Sequence, residues 1–173
     1  MNDPNTLYRL YATDVLRMCH FYLGDRQRAE DVCQDVFVKL IRQRPALEDG
    51  KEKAWLLKVA MNGCRDLWRG AWLKRVTLGD ESMQAIAAPD NREARSEARE
   101  LMDAIRRLPP DFRETVLLYY YQNYGIAEIA DMLHLSQGTV SSRLSRARDK
   151  LKTILEAQAE HDRAAWLEKE AGA

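Results

Sequence analysis

The sequence predicts an all-α protein with two small helical domains joined by a flexible linker, the second domain containing a helix-turn-helix. Three observations lead to this fold class. Of the 173 residues, 46% are hydrophobic and 31% charged, with only 8 Gly and 5 Pro, which is typical of a globular, helix-rich chain. Apolar residues recur at helical spacing through most of the sequence. One stretch, residues 79–95, contains Gly79 and Pro89 and no sustained apolar stripe, which predicts a linker.

The first predicted domain, residues 1–78, contains three or more helices around one core. Apolar residues between Leu7 and Leu23 recur at helical spacing, and the LGD that follows predicts a break. A second helix is predicted in RAEDVCQDVFVKLI, residues 28–41, and a third in KAWLLKVAMNGCRDLWRGAWLKR, residues 53–75. The apolar stripe of the second helix leaves a polar face, which is either solvated, as is usual, or the contact surface for a partner. That face carries Asp31, Gln34 and Asp35.

The second predicted domain, residues 96–155, follows the linker. Its helical pattern stops at Pro109-Pro110, and a new helix is predicted to begin there. Proline is tolerated in the first turn of a helix because the N–H that it lacks would have no partner within the helix. NYG then breaks the chain, and two short helices follow, IAEIADML and a run from Gln137 to about Leu155. Residues 156–173 form a C-terminal tail, for which a solvated helix is the default interpretation.

The last two predicted helices have the pattern of a helix-turn-helix. Ser136 is a good N-cap for the final helix, and Gly138 permits close approach of the backbone to a neighbour or a phosphate. The outward hydroxyl and arginine side chains can contact base edges and phosphates in a major groove. A solvated basic helix of a bundle is the alternative, but the short preceding helix, the turn and the N-cap favour DNA binding. The candidate DNA contacts are Gln137, Thr139, Ser141, Ser142, Arg143 and Arg146.

Charge is distributed unevenly along a chain whose formal net charge is zero. Residues 138–152 carry five basic residues and one acid, and residues 65–76 carry four basic residues and one acid. Between them, residues 80–100 carry six acids and three arginines. Two basic patches separated by an acidic stretch suggest a division of labour between the two domains.

Other classes of function find little support in the sequence. Cys19, Cys33 and Cys64 lie on apolar helical faces without a C-x-x-C pair, which favours buried free thiols over metal ligands or disulfides. No metal-ligand spacing, P-loop or nucleophile-elbow motif is visible, so we predict no catalytic residue, no metal, no cofactor and no enzymatic activity. No window approaches the roughly 18 apolar residues of a membrane span and no signal-peptide core is visible, so we expect a cytoplasmic protein.

These motifs together resemble bacterial sigma factors of the extracytoplasmic-function group, in the sigma-70 family. LSQGTVSSRLSRARDKL, residues 135–151, resembles the region-four signature, and LMDAIRRLPPDFRETVLLYYYQNYGIAEIADML resembles the segment that leads into it. RAEDVCQDVFVKL is similar to the core-binding helix of region two, and KAWLLKVAMNGCRDLWR to the segment that melts and reads the promoter. The resemblance covers about residues 5–155. Ser141 departs from the family pattern, which often has a lysine or arginine there.

The resemblance implies roles for individual residues. The polar face with Asp31, Gln34 and Asp35 would contact the largest subunit, β′, of RNA polymerase core, and the helix-turn-helix would read the minus-35 promoter element. Asn62 matches the family position near a base extruded from the minus-10 element. Trp55 is expected in the core, whereas the role of Trp72 stays open between packing and DNA. The minus-10 candidates are Lys58, Asn62, Arg65, Arg69, Trp72 and Lys74.

The resemblance also implies a mechanism and partners. The chain would bind polymerase core through the β′ and β subunits, recognise both promoter elements and initiate transcription, in a stress or envelope response under an anti-sigma factor. A membrane-anchored anti-sigma factor would hold it at the inner membrane, and no small-molecule substrate is expected. The rival hypothesis is a two-domain DNA-binding regulator that never engages core. Its amino-terminal half would need a ligand pocket or dimer interface rather than a second basic helix.

Overall fold

A computed structural model describes residues 3–77 and 97–171 of the chain, and throughout these ranges the regular structure is helical. The predicted linker, residues 79–95, lies outside the described residues. Seven α-helices and one π-helical turn are present in the described ranges: α1 (Pro4–Leu23), α2 (Arg26–Gln43), α3 (Glu52–Thr77), α4 (Glu97–Arg106), α5 (Pro110–Val116), the π turn (Leu117–Tyr121), α6 (Ile126–Leu133) and α7 (Gln137–Ala171). The predicted all-α fold is confirmed.

Local capping explains where the first two helices begin and end. The Asp3 carboxylate accepts a hydrogen bond from the Thr6 N–H at 3.0 Å, and Asp25 does the same for the Arg28 N–H at 3.0 Å. Gly24, with φ +71°, ends α1 and donates its N–H to the His20 carbonyl. A left-handed conformation at this position favours glycine because a side chain would be strained there. The tight connection makes α1 and α2 neighbours.

Helices α1, α2 and α3 form the first unit around one apolar core. Each helix contributes apolar side chains at helical spacing, although Leu67 of α3 is 40% exposed. The most deeply buried side chains include Tyr22 and Met18 from α1 and Leu56 and Leu57 from α3. Helices α2 and α3 approach closely at Gly63, where an added Cβ would stand 3.0 Å from Val32 Cγ1. The polar face of α2 is left on the outside.

Helices α4 to α7 and the π turn form the second unit. Pro110 opens α5 as expected, but the predicted helix DFRETVLLYYYQ is not uniform, because residues 117–121 adopt i→i+5 pairing, with the Gln122 N–H donating to the Leu117 carbonyl at 3.0 Å. The predicted end of the last helix near Leu155 is also wrong. Helix α7 continues without a break through the tail to Ala171, because nothing in residues 156–171 breaks a helix.

The two units pack against each other, which the local sequence pattern does not predict. Their buried side chains form one continuous hydrophobic cluster, in which Tyr22 of α1 and Leu118 of the π turn both have no exposed surface. The C-terminal end of α1 lies against α4 and α5, and α3 lies beside α6. The basic helix of the first unit therefore faces the second unit.

The three cysteines are free and buried, as predicted, within the first unit. Cys33 Sγ donates to the Ala12 carbonyl at 3.7 Å, and burial raises the pKa of the Cys33 thiol to about 11. A hydrogen bond with Cys19, together with burial, raises the pKa of the Cys64 thiol.

Across the ranges that the structure describes, no group of His, Cys, Asp and Glu side chains is placed to hold a metal ion. None of the described helices has the length and apolar character needed to cross a bilayer.

The thiols should be protected in the folded chain. We expect an aromatic disulfide reagent at pH 8 to label Cys33 about two orders of magnitude more slowly than an ordinary exposed thiol. The reason is that the reactive thiolate fraction falls about tenfold for each unit by which the pKa exceeds the pH. Unfolding in denaturant should expose all three thiols. The measurement is the time course of absorbance from the released reagent.

A Ser145→Cys variant supplies the control, since Ser145 is exposed on α7. One equivalent should react rapidly in that variant and none in the parent chain. Rapid labelling of the parent under native conditions would contradict the buried arrangement.

Candidate nucleic-acid interface

The predicted helix-turn-helix is formed by α6, a short turn and the start of α7. His134 ends α6 in a left-handed conformation, φ +54°, and donates its N–H to the Ala130 carbonyl. The Leu135 N–H donates to the same carbonyl at 2.9 Å. Ser136 then caps α7, because its Oγ accepts from the Thr139 N–H at 3.1 Å and lies 2.8 Å from Thr139 Oγ1. The predicted N-cap is confirmed.

One face of α7 is buried against α5 and α6. Val140, Leu144 and Ala147 are almost fully covered, and Ala130 of α6 is 5% exposed where the two helices pack. Gly138 is different, because the nearest atom to an added Cβ there would be Ser136 Oγ at 3.9 Å. Internal packing therefore does not require a glycine at 138, and the space beside it is open to another molecule.

The open face of α7 carries most of the predicted DNA contacts. Arg143 differs from the others, since only 20% of its side chain is exposed. Its guanidinium turns toward α5, with Nη2 3.4 Å from Asp111 Oδ2 and Nη1 3.7 Å from Glu114 Oε1. The remaining predicted residues are exposed on the helix surface: Gln137, Thr139, Ser141, Ser142 and Arg146.

The second candidate surface is a stripe along α3. Lys58, Asn62, Arg65 and Arg69 follow at intervals of three or four residues, so they share one side of the helix. Asn62 and Arg69 are exposed, as is Lys74, five residues after Arg69, whereas Lys58 and Arg65 are half-buried. The side chain of Trp72 lies outside the described residues.

Two residues of this stripe make contacts with the second unit. Lys58 Nζ lies 2.5 Å from His134 Nε2, in the turn of the helix-turn-helix. Arg65 Nη2 pairs with Glu114 Oε2 of α5, whose side chain has no exposed surface. Burial raises the pKa of the Glu114 carboxyl although Arg65 and Arg143 oppose that shift. Burial acts to lower the pKa of Arg65, but Glu114 outweighs it and holds that pKa above its ordinary value.

The tryptophans of α3 differ in surroundings. Trp55 packs against the core, as predicted, and Trp68 does the same while remaining partly exposed. Neither tryptophan is therefore a fully exposed aromatic side chain.

In the loop between α2 and α3, Gly50 has φ +87° and donates its N–H to Glu52 Oε2 at 2.7 Å. Lys53 pairs with Asp14 of α1 at 2.8 Å, which fixes the end of this loop against the first unit.

The outer face of α2 presents the predicted polar residues to solvent. Asp31, Gln34 and Asp35 are all exposed, and the surface continues for two more turns through Val38 and Ile41, which are 42% and 54% exposed. The sequence pattern does not single out these two aliphatic residues.

Glu114 is also missing from the residues that the sequence pattern singles out. A signal is nevertheless present, because Glu114 precedes Leu117 and Leu118 by three and four residues and therefore falls on the apolar stripe of its own segment. A carboxylate on such a stripe needs charged partners. Those partners are arginines distant in the sequence, and only the tertiary structure identifies them.

Comparisons with known proteins agree on both units. Residues 7–74 match the family described as "Sigma-70 region 2", and residues 98–151 match the family described as "Sigma-70, region 4". The RNA polymerase sigma factor CarQ of Myxococcus xanthus is 35% identical over 133 residues, which cover 73% of this chain and 74% of CarQ. The ECF RNA polymerase sigma factor SigM of Bacillus subtilis (strain 168) is 29% identical over 154 residues, 86% of this chain and 92% of SigM.

A solved structure supports the fold. The sigma factor RpoE from Bartonella quintana, solved in complex with the anti-sigma factor NepR, aligns with a TM-score of 0.68 at 22% identity. The alignment covers 90% of this chain and 98% of RpoE. The arrangement of helices is therefore shared with a known protein.

The N-cap of α7 can be tested directly. We expect Ser136→Ala to lower the free energy of unfolding by about 1 kcal/mol, because the Thr139 N–H loses its acceptor. Urea unfolding followed by circular dichroism measures the change. Ser141→Ala, an exposed serine within the same helix, is the control and should change stability by less than about 0.5 kcal/mol. Equal stability of the two variants would contradict the capping role.

Proposed function

The chain belongs to the extracytoplasmic-function group of the sigma-70 family and is a promoter-recognising sigma factor, and from this premise we propose which surfaces perform each step. Its α2 face binds RNA polymerase core, its α3 stripe engages the minus-10 element, and its α7 helix reads the minus-35 element. The observation that carries the proposal is the N-terminus of α7. It is capped by Ser136, its inner face is buried against the rest of the unit, and its outer face presents exposed polar side chains.

Helix α7 is suited to reading a major groove. Recognition helices of helix-turn-helix proteins contact base edges with residues near the N-terminus. Gln137, Thr139 and Ser142 are exposed in that part of α7, and Arg146 follows one turn later. Amides and hydroxyls can pair with base edges, whereas an arginine can pair with guanine or hold phosphate. Ser141 and Arg143 complete the proposed set, with Arg143 limited by its contacts to α5.

The α3 stripe is suited to a single strand whose bases have left the duplex. Exposed Asn62 offers both a donor and an acceptor to a flipped base. Arg69 and Lys74, both exposed, supply positive charge for the adjoining phosphates, and Lys58 and Arg65 extend the same surface. Trp72 remains a proposed contact on the basis of the family resemblance alone.

The α2 face supplies the proposed contact with polymerase core. Asp31, Gln34 and Asp35 form its polar part, and Val38 and Ile41 add apolar area in the same line. Polar residues contribute specificity and orientation to such a contact, and burial of the two aliphatic side chains adds a favourable hydrophobic term. The β′ subunit is the proposed partner at this face, and the β subunit is a further proposed contact.

An anti-sigma factor is the proposed regulator of the chain, and it also determines the proposed location. Family resemblance supports control by an anti-sigma factor that occludes the core-binding surfaces, and it supports a cytoplasmic protein held at the inner membrane when that factor is membrane-anchored. The same resemblance supports a factor that acts without catalysis of its own and responds to stress or to the envelope. The linker, residues 79–95, would lie near the RNA exit path of polymerase.

Transcription with purified components tests the core-binding assignment. We expect the chain and a bacterial RNA polymerase core to yield specific run-off transcripts on promoter fragments from the host, and core alone to yield none of them. The double variant Gln34→Ala with Asp35→Ala should reduce these transcripts at least about tenfold, since losing 1.4 kcal/mol of binding free energy costs a factor of ten. Gel quantification of transcripts is the readout.

Glu156→Ala with Glu160→Ala provides the matched control, because both residues are exposed on the distal part of α7, away from α2. That variant should transcribe at the parental level. A chain that binds promoter fragments without core and never supports initiation would instead be a DNA-binding regulator.

Salt dependence tests the phosphate contacts of α3. We expect Arg69→Ala to reduce the slope of log affinity against log salt concentration by about 0.7 to 0.9, because one fewer phosphate is neutralised and fewer counterions are released. The measurement is filter binding or fluorescence anisotropy of the holoenzyme on a promoter fragment at several salt concentrations. Arg163→Ala, exposed near the end of α7, should leave the slope unchanged. An unchanged slope for Arg69→Ala would remove it from the interface.

A further inference from the structure

The segment SRLSRAR of α7, residues 142–148, contains three arginines whose surroundings differ. Each residue of an α-helix is turned by about 100° from the one before it. Arg143 and Arg148 are therefore about 140° apart around the axis of α7. The middle of the gap between them is occupied by the buried stripe of the helix, which consists of Val140, Leu144 and Ala147. The two arginines thus stand on opposite flanks of the surface that packs against the rest of the unit.

Arg143 is held on one flank by α5. Its Nη2 donates to Asp111 Oδ2 at 3.4 Å, and its Nη1 lies 3.7 Å from Glu114 Oε1. Only 20% of the Arg143 side chain is exposed, and the Glu114 side chain has no exposed surface. An ion pair that is partly withdrawn from water is screened less than one on the surface. Both terminal nitrogens of this guanidinium are therefore directed at the supporting helix.

Arg148 is held on the other flank by the π turn, into which α5 runs directly. Its Nη1 donates to the Tyr120 hydroxyl oxygen at 3.3 Å. The Tyr120 ring is 51% exposed and meets the ring of Tyr119 edge to face, with centroids 4.9 Å apart. A single continuous segment, residues 110–121, thus contacts an arginine on each flank of α7.

Arg146, the third arginine of the segment, has no such support. It is exposed, and its side chain makes no hydrogen bond or ion pair with residues 3–77 or 97–171. It is turned about 60° beyond Arg143, away from the buried stripe. All the donors of its guanidinium are therefore available to base edges or phosphates.

The rotation of α7 about its own axis decides whether its outer side chains can meet base edges. Apolar contacts, such as those of the buried stripe, are not directional and do little to fix that rotation. The outer surface of a helix lies about 5 to 6 Å from its axis, so a rotation of about 10° moves that surface by about 1 Å. Hydrogen bonds to bases weaken over such a distance. Directional contacts on both flanks would prevent the movement.

We propose that Arg143 and Arg148 are positioning residues for minus-35 recognition, which clamp α7 from both flanks and leave Arg146 as the arginine of this segment that contacts DNA. This inference rests on the proposed function and narrows the role given there to Arg143. A loosened clamp reduces discrimination between sequences more than it reduces binding to DNA in general, because base-edge contacts depend on exact distances and phosphate attraction does not. The partners of the two arginines in the clamp are Asp111, Glu114 and Tyr120.

Asp111→Asn tests the Arg143 flank. The readout is the ratio of two affinities of the holoenzyme, one for a promoter fragment and one for the same fragment with a scrambled minus-35 element, both measured by fluorescence anisotropy. We expect the ratio to fall about fivefold, which is the lower end of what one base contact contributes.

A pure charge effect of Asp111→Asn has a different signature. Loss of a negative charge near DNA would raise both affinities by the same factor and leave the ratio unchanged, which would overturn the proposal. Asp131→Asn is the matched control, since Asp131 is exposed on α6 of the same unit. Its ratio should equal that of the parent.

Tyr120→Phe tests the Arg148 flank without changing any charge. The ratio should fall about twofold, because an exposed hydrogen bond contributes little free energy. Tyr119→Phe is the matched control, since it removes the hydroxyl of the neighbouring ring, which makes no hydrogen bond with the part of the chain that the structure describes. Equal ratios for these two variants would remove Arg148 from the clamp and overturn a clamp with two flanks.

Arg143→Gln separates a positioning residue from a direct contact. We expect discrimination to fall at several base pairs of the minus-35 element, because a shift of α7 displaces all of its base contacts. A loss confined to one base pair, with Asp111→Asn equal to the parent, would show that Arg143 contacts DNA directly and would overturn the proposal.

Circular dichroism verifies that each variant is folded. If Arg143→Gln does not fold, Asp111→Asn and Tyr120→Phe decide, because the side chains of Asp111 and Tyr120 are both more than half exposed. A parental holoenzyme that does not distinguish the intact from the scrambled minus-35 element would contradict the proposed function itself. Failure of the clamp alone leaves that distinction in the parent and in the variants, so the two failures can be told apart.

Discussion

The arrangement of the two units depends on one carboxylate, that of Glu114. It lies on α5 with no exposed surface, and it is flanked by Arg65 from α3 and Arg143 from α7. A carboxylate removed from water is costly unless opposite charges stand beside it, and a single partner seldom offsets the full loss of hydration. The positions of α3, α5 and α7 are therefore linked through this one group. Burial still raises the pKa of Glu114, so the two arginines offset only part of the loss.

The two arginines that flank Glu114 come from different units of the structure. Arg143 is in the same unit as Glu114, and its second contact, to Asp111, is on the same helix as Glu114. Arg65 belongs to the other unit, and its guanidinium pairs with Glu114 across the contact between the units. The buried carboxylate of Glu114 is therefore paired from both sides of the contact between the units.

Local pattern was sufficient to predict the helices and most of the surfaces. Periodicity locates α1, α2, α3 and α6, the Ser136 cap follows from residue type, and the exposed face of α2 follows from its apolar stripe. The π turn could not be predicted, because i→i+5 pairing leaves little trace in an apolar run such as LLYYY. The half-burial of Arg143 and Arg65 could not be predicted either, since it depends on Glu114, which is 49 residues from Arg65 in sequence. The individual DNA and polymerase contacts remain predictions.

The distribution of charge bears on how a promoter-binding chain avoids non-specific DNA. Lysines and arginines bind phosphate without regard to sequence, and a genome offers a very large excess of non-specific sites. A chain that presented both basic surfaces at all times would spend much of its time on such sites. Here the net charge is zero, and the packing of the two units sets Arg65 against a buried acid. The α2 face is exposed in that same arrangement. The fold thus leaves the outer face of α2 exposed while Arg65, a basic group of the α3 stripe, is paired with a buried carboxylate.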